Sequence, residues 1–161
     1  MGARGGRLGP GSNHKGLDRS AGGSAFILKR VDFQERALSV KPAGRVKPQR
    51  VERAVKTEIE WLVDRHDGAP NFEMRRFKIR PGGSIPKHHH PDIEHEQYVL
   101  KGKYRVGIGG RVHAVKAGDS IYIPEGTTHW YKNTGKVTAE FLCIIPKKDK
   151  YETLYEGEAG A

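Results

Sequence analysis

An all-β domain is the fold class this chain predicts, on three observations. Beyond residue 50 the apolar residues recur with a strand period rather than a helical one; the runs are short; and glycine or proline punctuates them at close intervals. Many short strands joined by Gly/Pro turns imply an antiparallel sandwich or barrel. The 161 residues, 35% of them hydrophobic, suffice for a single domain with tails, not for two domains.

The segments follow in order. Residues 1–24, MGARGGRLGPGSNHKGLDRSAGGS, hold eight glycines, scattered arginines and almost no larger aliphatic side chain. Such a composition buries too little apolar surface to offset ordering entropy, so a disordered basic N-terminal extension is expected. Residues 25–56 open with the strand-like AFILKRV (Ala25 to Val31) and continue through ALSVKPAGRVKPQRV, whose prolines require an extended connection. The domain proper is expected over 57–147. TEIEWLV (Thr57 to Val63) alternates, putting Ile59, Trp61 and Val63 on one face. In NFEMRRFKIRPGG, Phe72, Met74 and Arg76 oppose Glu73, Arg75, Phe77 and Ile79. EQYVLKG, YRVGIGG, RVHAVKAG, SIYIPEG, HWYKN and VTAEFLCIIP complete it. Residues 148–161 are polar and are expected to form a peripheral C-terminal tail, with at most a fraying helical turn.

The net charge of +10 raises nucleic acid and membrane surfaces as partners, but its distribution argues against both. Residues 1–50 carry 11 Lys or Arg against three acids, whereas the other 111 residues carry 18 against 16. The basic character belongs to the tail, so neither nucleic acid nor membrane is an expected partner of the domain. No stretch approaches the roughly 18–20 apolar residues of a membrane helix, and the N-terminus lacks a secretory apolar core; a soluble cytoplasmic protein is expected. The single cysteine, Cys143, excludes an intrachain disulfide and a cysteine-based zinc knuckle. The glycines of GKYRVGIGG precede no helix and mark hairpin turns, and there is no P-loop, nucleophile elbow or zinc-protease helix.

The chemistry concentrates in PKHHHPDIEHEQYVLKG (Pro86 to Gly102), which packs four of the chain's eight histidines into eight residues. In an extended segment His88 and His90 project to one face and His89 to the other. Two imidazoles on one face form a chelating pair. The strand after the Pro91-Asp92 turn offers Glu94, His95 and Glu96 as further ligands, with His95 on the face opposite to the two acids.

Two spaced motifs then carry a family resemblance. Gly82, His88, His90, His95 and Gly102 are separated by five, one, four and six residues; Gly118, Pro124, Gly126, His129 and Asn133 by five, one, two and three. Together they resemble the two motifs of the cupin superfamily, in which the third metal slot is usually Glu. Counting back from Gly102 puts His95 in that slot, with Glu94 as the register alternative because the family tolerates a three-residue gap there. ILKR, DGAPNFEMRRF, HPDIEHEQYVLKGK and EFLCIIPK resemble the small four-histidine manganese-binding cupins of thermophiles, over residues 26 to 147. The resemblance implies a single jelly-roll barrel, a double-stranded β-helix, and a metal held by His88, His90, His95 and His129. It also puts Phe141 and Cys143 in the barrel wall as possible cavity lining, and implies a homodimer that buries the outward Tyr98 and Leu100.

Neutral imidazole suits Mn, Fe, Ni, Cu or Zn, and the resemblance puts Mn first and Fe next. Four nitrogens leave two positions of an octahedral ion for a bidentate ligand or dioxygen, and leave its charge uncompensated, which favours anionic chelators. The expected function is therefore a Mn- or Fe-dependent oxidoreductase of dioxygenase type acting on a small organic molecule. The alternative is a non-enzymatic metal- or small-ligand-binding cupin. No residue stands out as a catalytic base, so the catalytic residues stay unassigned. Asn133 is expected to serve a turn rather than the metal.

Overall fold

The structure, a computed structural model, describes residues 40–157. The expected disordered tail and the expected strand Ala25–Val31 lie outside the described residues. Ten strands follow in chain order: β1 (Gln49–Arg50), β2 (Val55–Val63), β3 (Phe72–His89), β4 (His95–Lys101), β5 (Lys103–Ile108), β6 (Arg111–Lys116), β7 (Ser120–Ile123), β8 (His129–Lys132), β9 (Ala139–Pro146) and β10 (Leu154–Tyr155). Two 3-10 turns, Ala43–Arg45 and Arg65–Asp67, are the only helical elements among the described residues. None of these is long or apolar enough to cross a membrane.

One antiparallel sheet runs β6-β5-β8-β3-β9-β4-β7, with β2 and β10 also on β3 and β1 on β2. It curls into the half-barrel of a jelly roll because β3 serves two leaves. Residues 72–79 of β3 pair with β9 and, in part, with β2, whereas residues 84–88 pair with β8. The bend between them lies at Pro81-Gly82-Gly83. Gly82 has φ +73°, a conformation that favours glycine. A Cβ on Gly83 would meet the carbonyl oxygens of Arg80 and Val55 at 2.8 and 2.9 Å, so the corner closes only without a side chain.

Alternation fills the space between the leaves. Phe77, Ile79, Ile85, Val99, Tyr104, Val106, Tyr131, Phe141 and Ile145 are buried there. Phe141 stacks on Phe77 at 5.0 Å and on Tyr131 at 5.2 Å. On the outer face Glu60, 3% exposed, is held by Arg76 and Lys78 of the neighbouring strand at 2.5 and 2.7 Å. Burial raises the Glu60 carboxyl, but the Lys78 and Arg76 hydrogen bonds and charges outweigh it and hold the group below its ordinary range. Tyr98 and Leu100 point outward, 49% and 42% exposed, and so does Tyr122 on β7.

Three expectations need correction. Val63 does not share the face of Ile59 and Trp61: a bulge between Trp61 and Val63 shifts the register and turns Val63 out to 39% exposure. Second, the prolines do not end β3, which runs 18 residues through Pro81 and Pro86. Pro86 falls where pairing with β8 is interrupted, between Ile85 and His88, so its missing N–H costs no ladder bond there. Third, the C-terminal segment carries no helical turn among its described residues, and Leu154 and Tyr155 pair with His89 and His88 of β3.

Candidate metal centre

The four predicted histidines come to one end of the barrel because the strands that carry them start or stop there. His88 and His89 end β3, His90 follows, His95 opens β4 and His129 opens β8, directly across the ladder from His88. Parity places His88 and His90 inward. His89 lies on the other side, opposite Leu154. All four inward rings are buried, between 2% and 9% exposed.

Three of them present one ring nitrogen each within 4.8 Å of one another: His88, His90 and His129. The opposite nitrogen is tied down in each case. Nδ1 of His88 bonds the Pro86 carbonyl at 2.7 Å, Nδ1 of His90 the Glu152 carbonyl at 2.7 Å, and Nδ1 of His129 the Thr127 carbonyl at 2.8 Å. A carbonyl accepts only from N–H, so Nδ1 carries the proton and Nε2 keeps its lone pair toward the centre. His95 packs against His90 and His129 at ring-centroid distances of 5.0 and 4.9 Å. Its Nε2 is buried without a hydrogen-bond partner. Glu94, the register alternative, stands outside this cluster and accepts a hydrogen bond from the Tyr122 hydroxyl at 3.0 Å.

Electrostatics keep the rings neutral. Burial is the largest cause for each and lowers all four below the ordinary histidine value, His90 to about 4 and His129 to about 3. Neutral imidazoles with free Nε2 lone pairs, together with an orphaned buried nitrogen on His95, are the donor set a divalent transition metal takes.

The rings open onto a cavity of about 240 Å³. Across its floor runs a row of paired residues from four strands, Trp61, Arg75, Cys143 and Gln97, and beside it a second row, Ile59, Phe77, Phe141 and Val99. Phe141 and Cys143 both line the cavity. Gln97 Nε2 donates to the Tyr131 hydroxyl at 2.6 Å. Arg75 donates to Cys143 Sγ at 3.0 Å and stands 3.4 Å from His95 Nδ1. Glu52 is the one carboxylate in the lining, and its side chain is 79% exposed. Asn133 is fully buried away from this lining and bridges a turn, donating to the Ile79 and Val137 carbonyls and accepting from the Gly135 amide.

Sequence reasoning missed Arg75, Gln97 and Tyr131. The signal was available for two of them: Arg75 alternates with Phe77 and Ile79 on the inward face, and Gln97 shares the parity of His95. It also missed the segment after residue 150. Tyr151 donates a hydrogen bond to Glu73, which also accepts from Arg65; Glu152 supplies the carbonyl for His90; Tyr155 lies beside His88, with its hydroxyl on the Glu52 carbonyl. The segment thus straps across the cavity mouth and fixes a ring orientation. Deleting residues 152–161 is expected to weaken metal binding by roughly 10–100-fold, the cost of losing an outer-shell partner. Chelator competition measures this, and unchanged affinity would mean that His90 is oriented by other contacts.

The family model described as a cupin domain matches residues 75–145. The solved polyketide cyclase RemF from Streptomyces resistomycificus superimposes with a TM-score of 0.68 at 30% identity, covering 74% of this chain and 86% of that one. A predicted oxalate decarboxylase from Thermotoga maritima gives 0.62 at 25% identity, covering 68% and 100%. Among curated proteins, wheat (Triticum aestivum) oxalate oxidase GF-3.8 is 35% identical over 80 residues, 45% of this chain and 36% of that protein. The chain spans between 14% and 54% of the length of the curated relatives it matches.

Proposed function

This chain belongs to the cupin superfamily, and on that premise we propose that it is a metal-dependent oxidoreductase of dioxygenase type acting on a small organic molecule, with His88, His90, His95 and His129 as the ligands of one Mn or Fe ion. The observation that carries the reading is the set of inward imidazoles whose Nδ1 protons are held by carbonyls, leaving neutral Nε2 atoms aimed at one point. Bound there, the ion would supply Lewis acidity and one-electron chemistry.

The chain's own residues do the rest. Burial holds the Tyr131 hydroxyl well above the ordinary tyrosine range, so it keeps its proton and serves as a donor rather than a base. Gln97 fixes its direction. The strap from Tyr151 to Tyr155 restricts solvent entry. A volume of about 240 Å³ lies below the roughly 300–1,000 Å³ of pockets for drug-sized ligands, which points to a compact substrate.

A second reading has one observation in its favour. Trp61, Phe77, Tyr131 and Phe141 give the cavity an aromatic lining suited to a conjugated ligand, and the solved RemF is a polyketide cyclase, so a metal-assisted cyclisation without net oxidation fits the same site. Oxygen consumption with a panel of enols and catechols separates the two. Uptake by the Mn- or Fe-loaded protein that is lost in His90→Ala supports the oxidoreductase; metal-loaded protein that turns over none of the panel removes it.

A further inference from the structure

Arg75 is a cation in a place where the cavity offers it no acid. Its side chain projects from β3 into the lining, and the residue is 9% exposed. One terminal nitrogen donates to Cys143 Sγ at 3.0 Å and stands 3.4 Å from His95 Nδ1, while Nε is buried with no hydrogen-bond partner. No ion pair to Arg75 occurs among the described residues. Its neighbour Arg76, facing outward, has Glu60 at 2.5 Å. Two aromatic faces flank the guanidinium, Trp61 at 5.5 Å and Phe77 at 5.4 Å.

Burying an ion costs more than cation–π contacts return, even after the protein relaxes around it, and a sulfur acceptor is a weak one. The lining's one carboxylate, Glu52, stays in solvent. The deficit would be met by an anion that enters the cavity and accepts a charge-assisted hydrogen bond from the guanidinium's other terminal nitrogen.

We propose that Arg75 is a metal-independent anchor for an anionic group, and that the cavity therefore selects a small conjugated acid: a carboxylate at Arg75, with the ring or enone between Trp61, Phe77 and Phe141. Two further groups fit such a ligand. The Tyr131 hydroxyl has a proton to give, and Gln97 Oε1 is an unpartnered acceptor. The proposal names the substrate class of the site described above and shares its cavity, but the anchor itself does not depend on a metal.

Calorimetric titration with salicylate and with its uncharged isostere salicylamide tests this, on metal-free and Mn-loaded protein. Metal-free wild type is expected to bind salicylate at least tenfold more tightly than salicylamide. Arg75→Met should abolish the difference in the metal-free protein, and Arg75→Lys should retain it in weakened form. Equal binding of the two by the metal-free protein overturns the proposal, as does absence of salicylate binding at millimolar concentration. So does a preference that survives in Arg75→Met. A preference confined to the Mn-loaded protein overturns the anchor and leaves the metal centre standing; a preference in metal-free protein that takes up no metal supports the anchor and removes the metal centre.

Discussion

Replacing His129 by alanine is expected to reduce metal affinity by more than roughly a hundredfold, beyond the 10–100-fold cost of losing an outer-shell partner. His129 is the ring through which the two leaves meet at the site: it faces His88 across the ladder, lies 4.9 Å from His95 and 5.7 Å from His90, and is 2% exposed. The next inward residue of β8, Tyr131, is committed to Gln97 and does not take its place. The fold should survive, since the stack of Phe77, Phe141 and Tyr131 stands without it. Competition against a chelator gives the affinity, and the near-ultraviolet circular dichroism of the metal-free variant gives the fold. A variant that binds as tightly as wild type would remove His129 from the ligand set.

The metal-free protein is expected to lose stability steeply as the pH falls from about 6.5 toward 4. Burial lowers His90 to about 4 and His129 to about 3 in the folded chain, against 6.5 in an exposed ring, and lowers His88 and His95 as well. The Glu152 and Thr127 carbonyls partly oppose burial at His90 and His129. Within that window the unfolded chain binds more protons than the folded one, so stability rises with pH, is complete above the unfolded value and drains away as pH falls through the folded ones. For His90 alone the shift corresponds to roughly 3 kcal/mol. The rings share one cluster, so the first proton taken up opposes the next and the terms do not simply add. Against a total stability of about 5–15 kcal/mol this is enough to bring on acid unfolding near pH 4. Urea midpoints measured from pH 8 to 4 test it: a flat plateau above 6.5 with a fall below is expected, and constant stability down to pH 4.5 would contradict it. Metal loading should move the fall to lower pH, because the ion competes with protons for the same Nε2 atoms.

The strand plan was legible because alternation survives wherever a strand has one face on the core. SIYI, HWYK and the inward half of EFLCIIP all lie where the pattern puts them. The histidine cluster was legible for a different reason: two imidazoles at i and i+2 in an extended run must share a face. What stayed hidden depended on contacts distant in sequence. Proline normally ends a strand, and only the interrupted pairing with β8 lets Pro86 sit inside β3. Nothing in KKDKYETLYEGE is apolar enough to announce burial; the strap holds through Tyr151 to Glu73, 78 residues apart, and Glu152 to His90, 62 apart. Arg75 was visible as an inward charge by parity, but only its row with Trp61, Cys143 and Gln97 places it in a cavity. Val63 shows the limit of counting by twos: one bulge inverts the face of every residue beyond it.

The measurement that bears most directly on the central claim is the metal content of freshly purified, tag-free protein by plasma mass spectrometry, with His88→Ala/His90→Ala alongside. The account predicts about one equivalent of Mn or Fe per chain in the wild type and none in the variant. Wild-type protein that carries no metal and takes up none from added Mn, Fe, Ni or Zn would contradict it, and the four buried imidazoles would then need another explanation.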